Sequence, residues 1–108
     1  MPGVLKNALD WASRPGFRSE LAGKPSAVMG ASPGAAGTVR AQADVRRLLL
    51  ATLSRVLPYP DVAVPSVAQK FDAEGRLADE QTEKIVRGLL VAFRDWIRQL
   101  EAGQAALL

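Results

Sequence analysis

Val4, Leu5, Ala8, Leu9 and Ala12 recur at the spacing of one helical face, and Pro2 stands at the opening turn, where a helix accepts proline. The pattern predicts a helix that stops near Ser13, because Pro15 disfavours helical geometry at Arg14 and Gly16 tolerates a turn. A surface loop is expected to run on to Lys24. Residues 25–31 then form an uninterrupted run of small and apolar side chains, which predicts a strand buried on both faces, as in a parallel sheet. A small-residue loop, 32–38, follows directly. After it, Val39, Ala43, Leu49, Leu50, Leu53 and Val56 make the inner stripe of a second helix, with Arg40, Asp44, Arg47 and Arg55 outside it.

Leu57-Pro58-Tyr59-Pro60 ends that helix, since both prolines cannot be housed in it, and residues 61–64 predict a second short strand. Its flanking prolines mark it as an edge strand. Residues 65–78 read as a polar loop in which Asp72-Ala73-Glu74-Gly75 turns between the apolar pins Phe71 and Leu77. Asp79 caps the last helix, Glu80 and Glu83 suit its positive first turn, and Ile85, Val86, Leu89, Leu90, Phe93, Trp96, Ile97 and Leu100 hold one face. Gly103 is the expected stop, leaving residues 103–108 as a tail.

The order helix, strand, helix, strand, helix is α/β alternation with a right-handed crossover expected between the strands. Two strands do not complete such a sheet, because the run 25–31 needs a neighbour on each side and helices on both faces. The missing elements are expected ahead of Met1.

Composition narrows the chemistry. The 108 residues contain no histidine and no cysteine, which removes Ser/His/Asp hydrolysis, thiolate chemistry and cysteine metal clusters. The net charge of +3 is uneven: residues 1–60 carry eight basic and three acidic groups, residues 61–108 six and eight. The first half therefore favours an anionic partner. No apolar run approaches the roughly 20 residues of a membrane span, and the start lacks the basic and apolar regions of a signal peptide. A cytoplasmic protein that binds neither nucleic acid nor membrane is expected.

Among local motifs, the loop 32–38 lies at the carboxyl end of a strand and the start of a helix, where open α/β sheets bind ligands. It lacks the Lys-Ser/Thr of an ATPase phosphate loop and the glycine spacing of a dinucleotide fingerprint. A ligand contact and a plain tight turn both remain open. The arginines at 40, 46, 47 and 55 read as a solvated or subunit-contacting face, since no aromatic residues interleave with them. Asp72 and Glu74 lack the spacing and closing acid of a calcium loop. Trp96 reads as core packing. Trp11, off the inner stripe, is covered either by a partner or by the side of the sheet.

Several blocks together carry a resemblance: Pro2-Gly3-Val4-Leu5-Lys6-Asn7-Ala8-Leu9-Asp10-Trp11, Gly23-Lys24-Pro25, Gly30-Ala31-Ser32-Pro33-Gly34, Gly37-Thr38-Val39-Arg40-Ala41-Gln42, Leu57-Pro58, and Lys70-Phe71-Asp72 with Gly75-Arg76-Leu77. The chain to about Leu100 resembles the NADPH-dependent FMN reductase family, which includes chromate, quinone and azo reductases. The resemblance implies a flavodoxin-like three-layer fold with parallel strands in the order 2-1-3-4-5, of which this chain would carry the last two strands and three helices. It implies FMN at the carboxyl edge of the sheet and two-electron transfer from NAD(P)H to a small acceptor: a quinone, flavin, dye or metal oxyanion. Full-length relatives would be homodimers or tetramers.

Position by position, the resemblance implies that Ser32, Pro33 and Gly34 lie beside the flavin ring, with Gly37 and Thr38 as further members of that loop. Pro2 and Gly3 would line the ring's other edge. Arg40 and Gln42 match positions near the subunit interface of related reductases, whereas Ala43 stands where some relatives have tyrosine. The family's first strand and its Gly/Ser/Arg-rich FMN-phosphate loop have no counterpart after Pro2. Residues 1–102 are thus expected to be the C-terminal part of a family domain, lacking about 70 to 80 residues. An alternative expectation is a non-catalytic chain that acts only by association.

Overall fold

The computed structural model describes every residue except 16, 17, 35–37 and 108, with the side chains of 105–107 also outside the description. Its elements are α1 (Gly3–Ala12), β1 (Pro25–Ser26), β2 (Met29–Ala31), α2 (Val39–Ala51), β3 (Arg55–Val56), β4 (Val62–Val64) and α3 (Glu80–Leu107), with a 3-10 turn at Val67–Lys70. The alternation of helices and strands matches the sequence pattern, and both strand pairs, β1 with β3 and β2 with β4, are parallel.

The expected strand at 25–31 is broken in two. Ser26 is opposite Val56 and Met29 is opposite Val62, so residues 27 and 28 face the longer excursion 57–61. Pro58 and Pro60 lie in that excursion, and neither has an N–H to offer a ladder. Pairing resumes only at Val62. Below the break, Ser26 Oγ and Ser54 Oγ lie 2.7 Å apart, and Ser54 Oγ donates to the Lys24 carbonyl at 2.9 Å.

The second helix ends at Ala51 instead of reaching Leu57, and residues 55 and 56 become β3. Ser54 N–H bonds back to the Leu49 carbonyl at 2.9 Å and Leu53 N–H to Leu50 at 3.1 Å, while Leu53 adopts φ 65°. These are the paired bonds and left-handed residue of a Schellman helix end. Ending there also turns Leu53 outward, and Val39 and Leu50 are exposed as well, so of the predicted inner stripe only Leu49 is buried. The inward face consists of Ala41, Gln42, Val45 and Leu49.

α3 carries the buried core. Alternation along β4 turns Val62 and Val64 toward α3, where Leu57, Val62 and Leu89 form the centre and Ala27, Val86, Ala92, Phe93 and Trp96 pack around it. Ala63 faces the opposite side, beside Val39, Gln42 and Arg46 of α2. Trp96 Nε1 donates to the Arg55 carbonyl at 2.8 Å, tying the helix to β3. Asp79 caps α3 as expected: its Oδ2 accepts from Thr82 N–H at 2.9 Å and from Thr82 Oγ1 at 2.6 Å. Gly103 does not stop the helix, which runs on to Leu107. Alanines and glutamine around it are good helix formers, and one interior glycine costs only about 1 kcal/mol.

Burial on both faces, expected for residues 25–31, fails at β2, where Met29 is 54% exposed. Among the described residues β2 pairs with β4 along one edge only, so Met29 and Ala31 have no strand beside them on the other.

Candidate functional site

The register that places Ala31 opposite Val64 brings the segments leaving β2 and β4 to the same end of the sheet, side by side. Ser32 N–H donates to the Val64 carbonyl at 2.9 Å, Val67 N–H to Ser32 at 3.0 Å, and Ser66 N–H to Gly34 at 3.1 Å. Ser66 adopts φ 48°, which turns the chain so that its N–H and that of Val67 reach the neighbouring loop. Ser32 Oγ accepts from Gly34 N–H at 3.1 Å, folding the loop over its own first residue. Pro33 and Gly34 are exposed, and among the described residues a Cβ on Gly34 would meet only Ser32 Oγ, at 3.7 Å.

Thr38 returns the loop to the sheet. A Cβ added to Gly30 would collide with the Thr38 side chain, so glycine is what permits the threonine to lie directly on the strand. Pro2, Leu5, residues 27–31, Thr38, Ala41, Gln42, Val45 and Leu49 surround a largely apolar cavity of about 410 Å³ between α1, the strand and α2. A second cavity, about 270 Å³, lies across β2 beneath α3 and is bounded by Val62, Val67, Phe71, Leu77 and Val86. Met29, Gly30 and Ala31 border both.

Of the positions singled out in the sequence, Ser32, Pro33 and Gly34 therefore share one strand end, while Pro2 and Thr38 meet at the adjacent cavity. Gly3 is exposed and borders neither cavity. Gly37 lies outside the described residues. Sequence reasoning missed Ser66 and Val67, which hold the loop, and Gly30, on which Thr38 rests. The turn Pro65-Ser66 at the strand's end was the signal for the first two. Gln42, matched by resemblance to a position near the subunit interface of related reductases, is buried with its polar atoms bonded inside the chain.

Two charged pairs flank β4. Arg46 Nη2 lies 2.7 Å from Asp61 Oδ1, and Lys70 Nζ lies 3.9 Å from Asp79 Oδ2. The Asp79 carboxyl is held below its ordinary value of 3.8, chiefly by the Thr82 hydroxyl and then by Thr82 N–H, with Lys70 adding to the effect and burial opposing it. Asp72 uses its Oδ1 to accept from the N–H groups of Glu74 and Arg76, so this carboxylate organises a turn. Among the described residues no group of acidic side chains is gathered as a metal site, and no helix is long and apolar enough to cross a membrane.

Comparison with known proteins bears on this arrangement directly. The family model described as NADPH-dependent FMN reductase matches residues 1–69. An NAD(P)H-dependent FMN reductase from Pseudomonas aeruginosa is 44% identical over 100 residues, covering 93% of this chain and 54% of the relative. A 2-hydroxy-1,4-benzoquinone reductase from Burkholderia is 39% identical over 98 residues, covering 91% of this chain and 54% of its own. Among solved structures, the flavoenzyme NAD(P)H:(acceptor) oxidoreductase FerB from Paracoccus denitrificans superposes with a TM-score of 0.80 at 40% identity, over 91% of this chain and 54% of FerB. The chain spans about half the length of the curated relatives it matches. With its flavodoxin-like α/β order, it belongs to the NADPH-dependent FMN reductase family.

Proposed function

We propose that this chain is the ring-side, C-terminal part of an NAD(P)H-dependent FMN oxidoreductase domain, residues 1–102. The loop at Ser32, Pro33 and Gly34, with Gly37 and Thr38, would border the flavin, and Pro2 and Gly3 would approach its other edge. The observation that carries the reading is the open backbone at Gly34, held by Ser66 and Val67 at the carboxyl end of parallel strands, where such sheets take their ligands. Bound FMN supplies hydride acceptance and donation, linking NAD(P)H to a quinone, free flavin, dye or metal-oxyanion acceptor.

In this proposal these residues bind and orient the flavin. Ser32 shapes the loop through its hydroxyl, Pro33 stiffens it, and Gly34 leaves room for a planar ring to lie against main chain. Anchoring of the FMN phosphate belongs, in this proposal, to the portion of the relatives that this chain does not span. Quinone reduction by the Burkholderia relative makes quinones the first acceptors to assay.

Titration of the 108-residue chain with riboflavin and with FMN, followed by flavin fluorescence, tests this division. If the chain holds only the ring, both flavins bind weakly and with affinities within about threefold of each other. A phosphate site in this chain would favour FMN by tenfold or more, given about 1.5 to 3 kcal/mol per charged hydrogen bond. That result would overturn the proposed division. Binding of neither flavin would favour a second reading, a chain that acts by association alone, for which the exposed edge of β2 at Met29 is the supporting feature.

A further inference from the structure

Gln42 is 4% exposed, yet its environment on α2 is otherwise mostly apolar. Its Nε2 donates to Thr38 Oγ1 at 2.7 Å and to the Val62 carbonyl at 2.8 Å, while its Oε1 faces Arg46 Nη2 at 3.4 Å. Chemistry fixes the orientation of this amide. The Val62 carbonyl only accepts and the Arg46 guanidinium only donates, so nitrogen must point to the strand and oxygen to the arginine. Both amide hydrogens are then used, and Thr38 Oγ1 is the acceptor of the second.

That assignment explains an oddity at the start of α2. Threonine at the N-cap ordinarily turns its hydroxyl onto the first backbone N–H groups of the helix. Thr38 makes no such side-chain bond; its hydroxyl is engaged by Gln42, and its carbonyl accepts from Gln42 N–H at 2.8 Å. On the other side the same threonine lies against the Cα of Gly30. Thr38 is therefore held from two directions, by β2 below and by a side chain bonded to β4. The other end of the loop is also tied to the β4 region, through Ser32 to Val64 and Val67 and through Gly34 to Ser66.

We propose that Gln42 is a positioning residue for the flavin-side site, fixing Thr38 between β2 and β4 at the border of the cavity beside α1. Arg46 completes the arrangement, because its pairing with Asp61 carries the same polar chain to the residue just before β4. Gln42 touches no ligand in this scheme; it acts through Thr38. The functional importance of the loop rests on the proposed flavin reading, whereas the clamp itself does not.

Amide hydrogen exchange of the 108-residue chain, read by NMR without flavin, tests the clamp. Gln42→Met and Thr38→Val each remove the central bond, and Thr38→Ser restores the hydroxyl. Loss of a net hydrogen bond predicts exchange about tenfold faster at residue 42, whose N–H bonds to Thr38. Leu89 and Phe93 in α3 should stay within about twofold of the parent, as should every position in Thr38→Ser. In riboflavin titration the two disruptive variants should lose affinity by a similar factor. Equal acceleration throughout the chain, no acceleration at all, or failure of both disruptive variants to fold would each overturn a positioning role. If exchange behaves as expected but no variant or parent binds flavin, the clamp stands and the flavin reading falls.

Discussion

The two faces of the sheet are finished to different degrees. On one, α3 lays Leu89 against Leu57 and Val62, with Phe93 and Trp96 closing around them. On the other, α1 buries no residue; Val4 is 86% and Trp11 65% exposed, and a cavity of about 410 Å³ separates α1 from α2. Both helices show an apolar stripe in the sequence. Periodicity identifies which side chains are able to form a core, but only a facing surface makes them one. Stability in this chain should accordingly reside with α3, and the α1 side should tolerate change.

Leu89→Ala gives the largest expected effect. Removing a side chain from the centre of the core should lower unfolding free energy by about 3 kcal/mol, read by chemical denaturation. Trp96→Phe should cost less, about 1 kcal/mol, by losing the indole bond to the Arg55 carbonyl while retaining most of the packing. Asp79→Asn should cost stability chiefly at neutral pH, with the deficit closing in acid. The lowered pKa of Asp79 means that its charge contributes stability above the ordinary value of 3.8, a contribution lost as pH falls through the lowered one. Replacing it should make the acid limb of a melting-temperature profile shallower just below pH 3.8, where the parent loses that contribution. Val4→Ala, on the open face, should change stability by no more than about 0.5 kcal/mol. A Val4 effect rivalling that of Leu89 would erase the contrast between the faces.

Legibility in the sequence follows the same contrast. α3 and its Asp79 cap were readable because a long stripe and a local cap need no distant partner to be recognised. So was the turn at 72–75, whose Asp72 bonds are local and whose Gly75 adopts φ 79°. The end of α2 was not readable, since a leucine occupies the left-handed position where glycine is the usual marker. The break after Ser26 depended on which residues of a distant strand it met, and that register is absent from any local pattern. At the candidate site the small-residue loop was visible, whereas Ser66, Val67 and Gln42 gain their roles only when β2 and β4 are side by side.

The outer edge of β2 carries a further physical consequence. Pro58, Pro60 and Pro65 surround the β3 and β4 strand, but no proline or charged residue stands among Met29, Gly30 and Ala31. An unguarded apolar edge is a template for intermolecular strand pairing, a process that accelerates with concentration and is only weakly opposed by a net charge of +3. Self-association of the 108-residue chain should therefore begin at these three consecutive residues and rise with concentration, as light scattering would read.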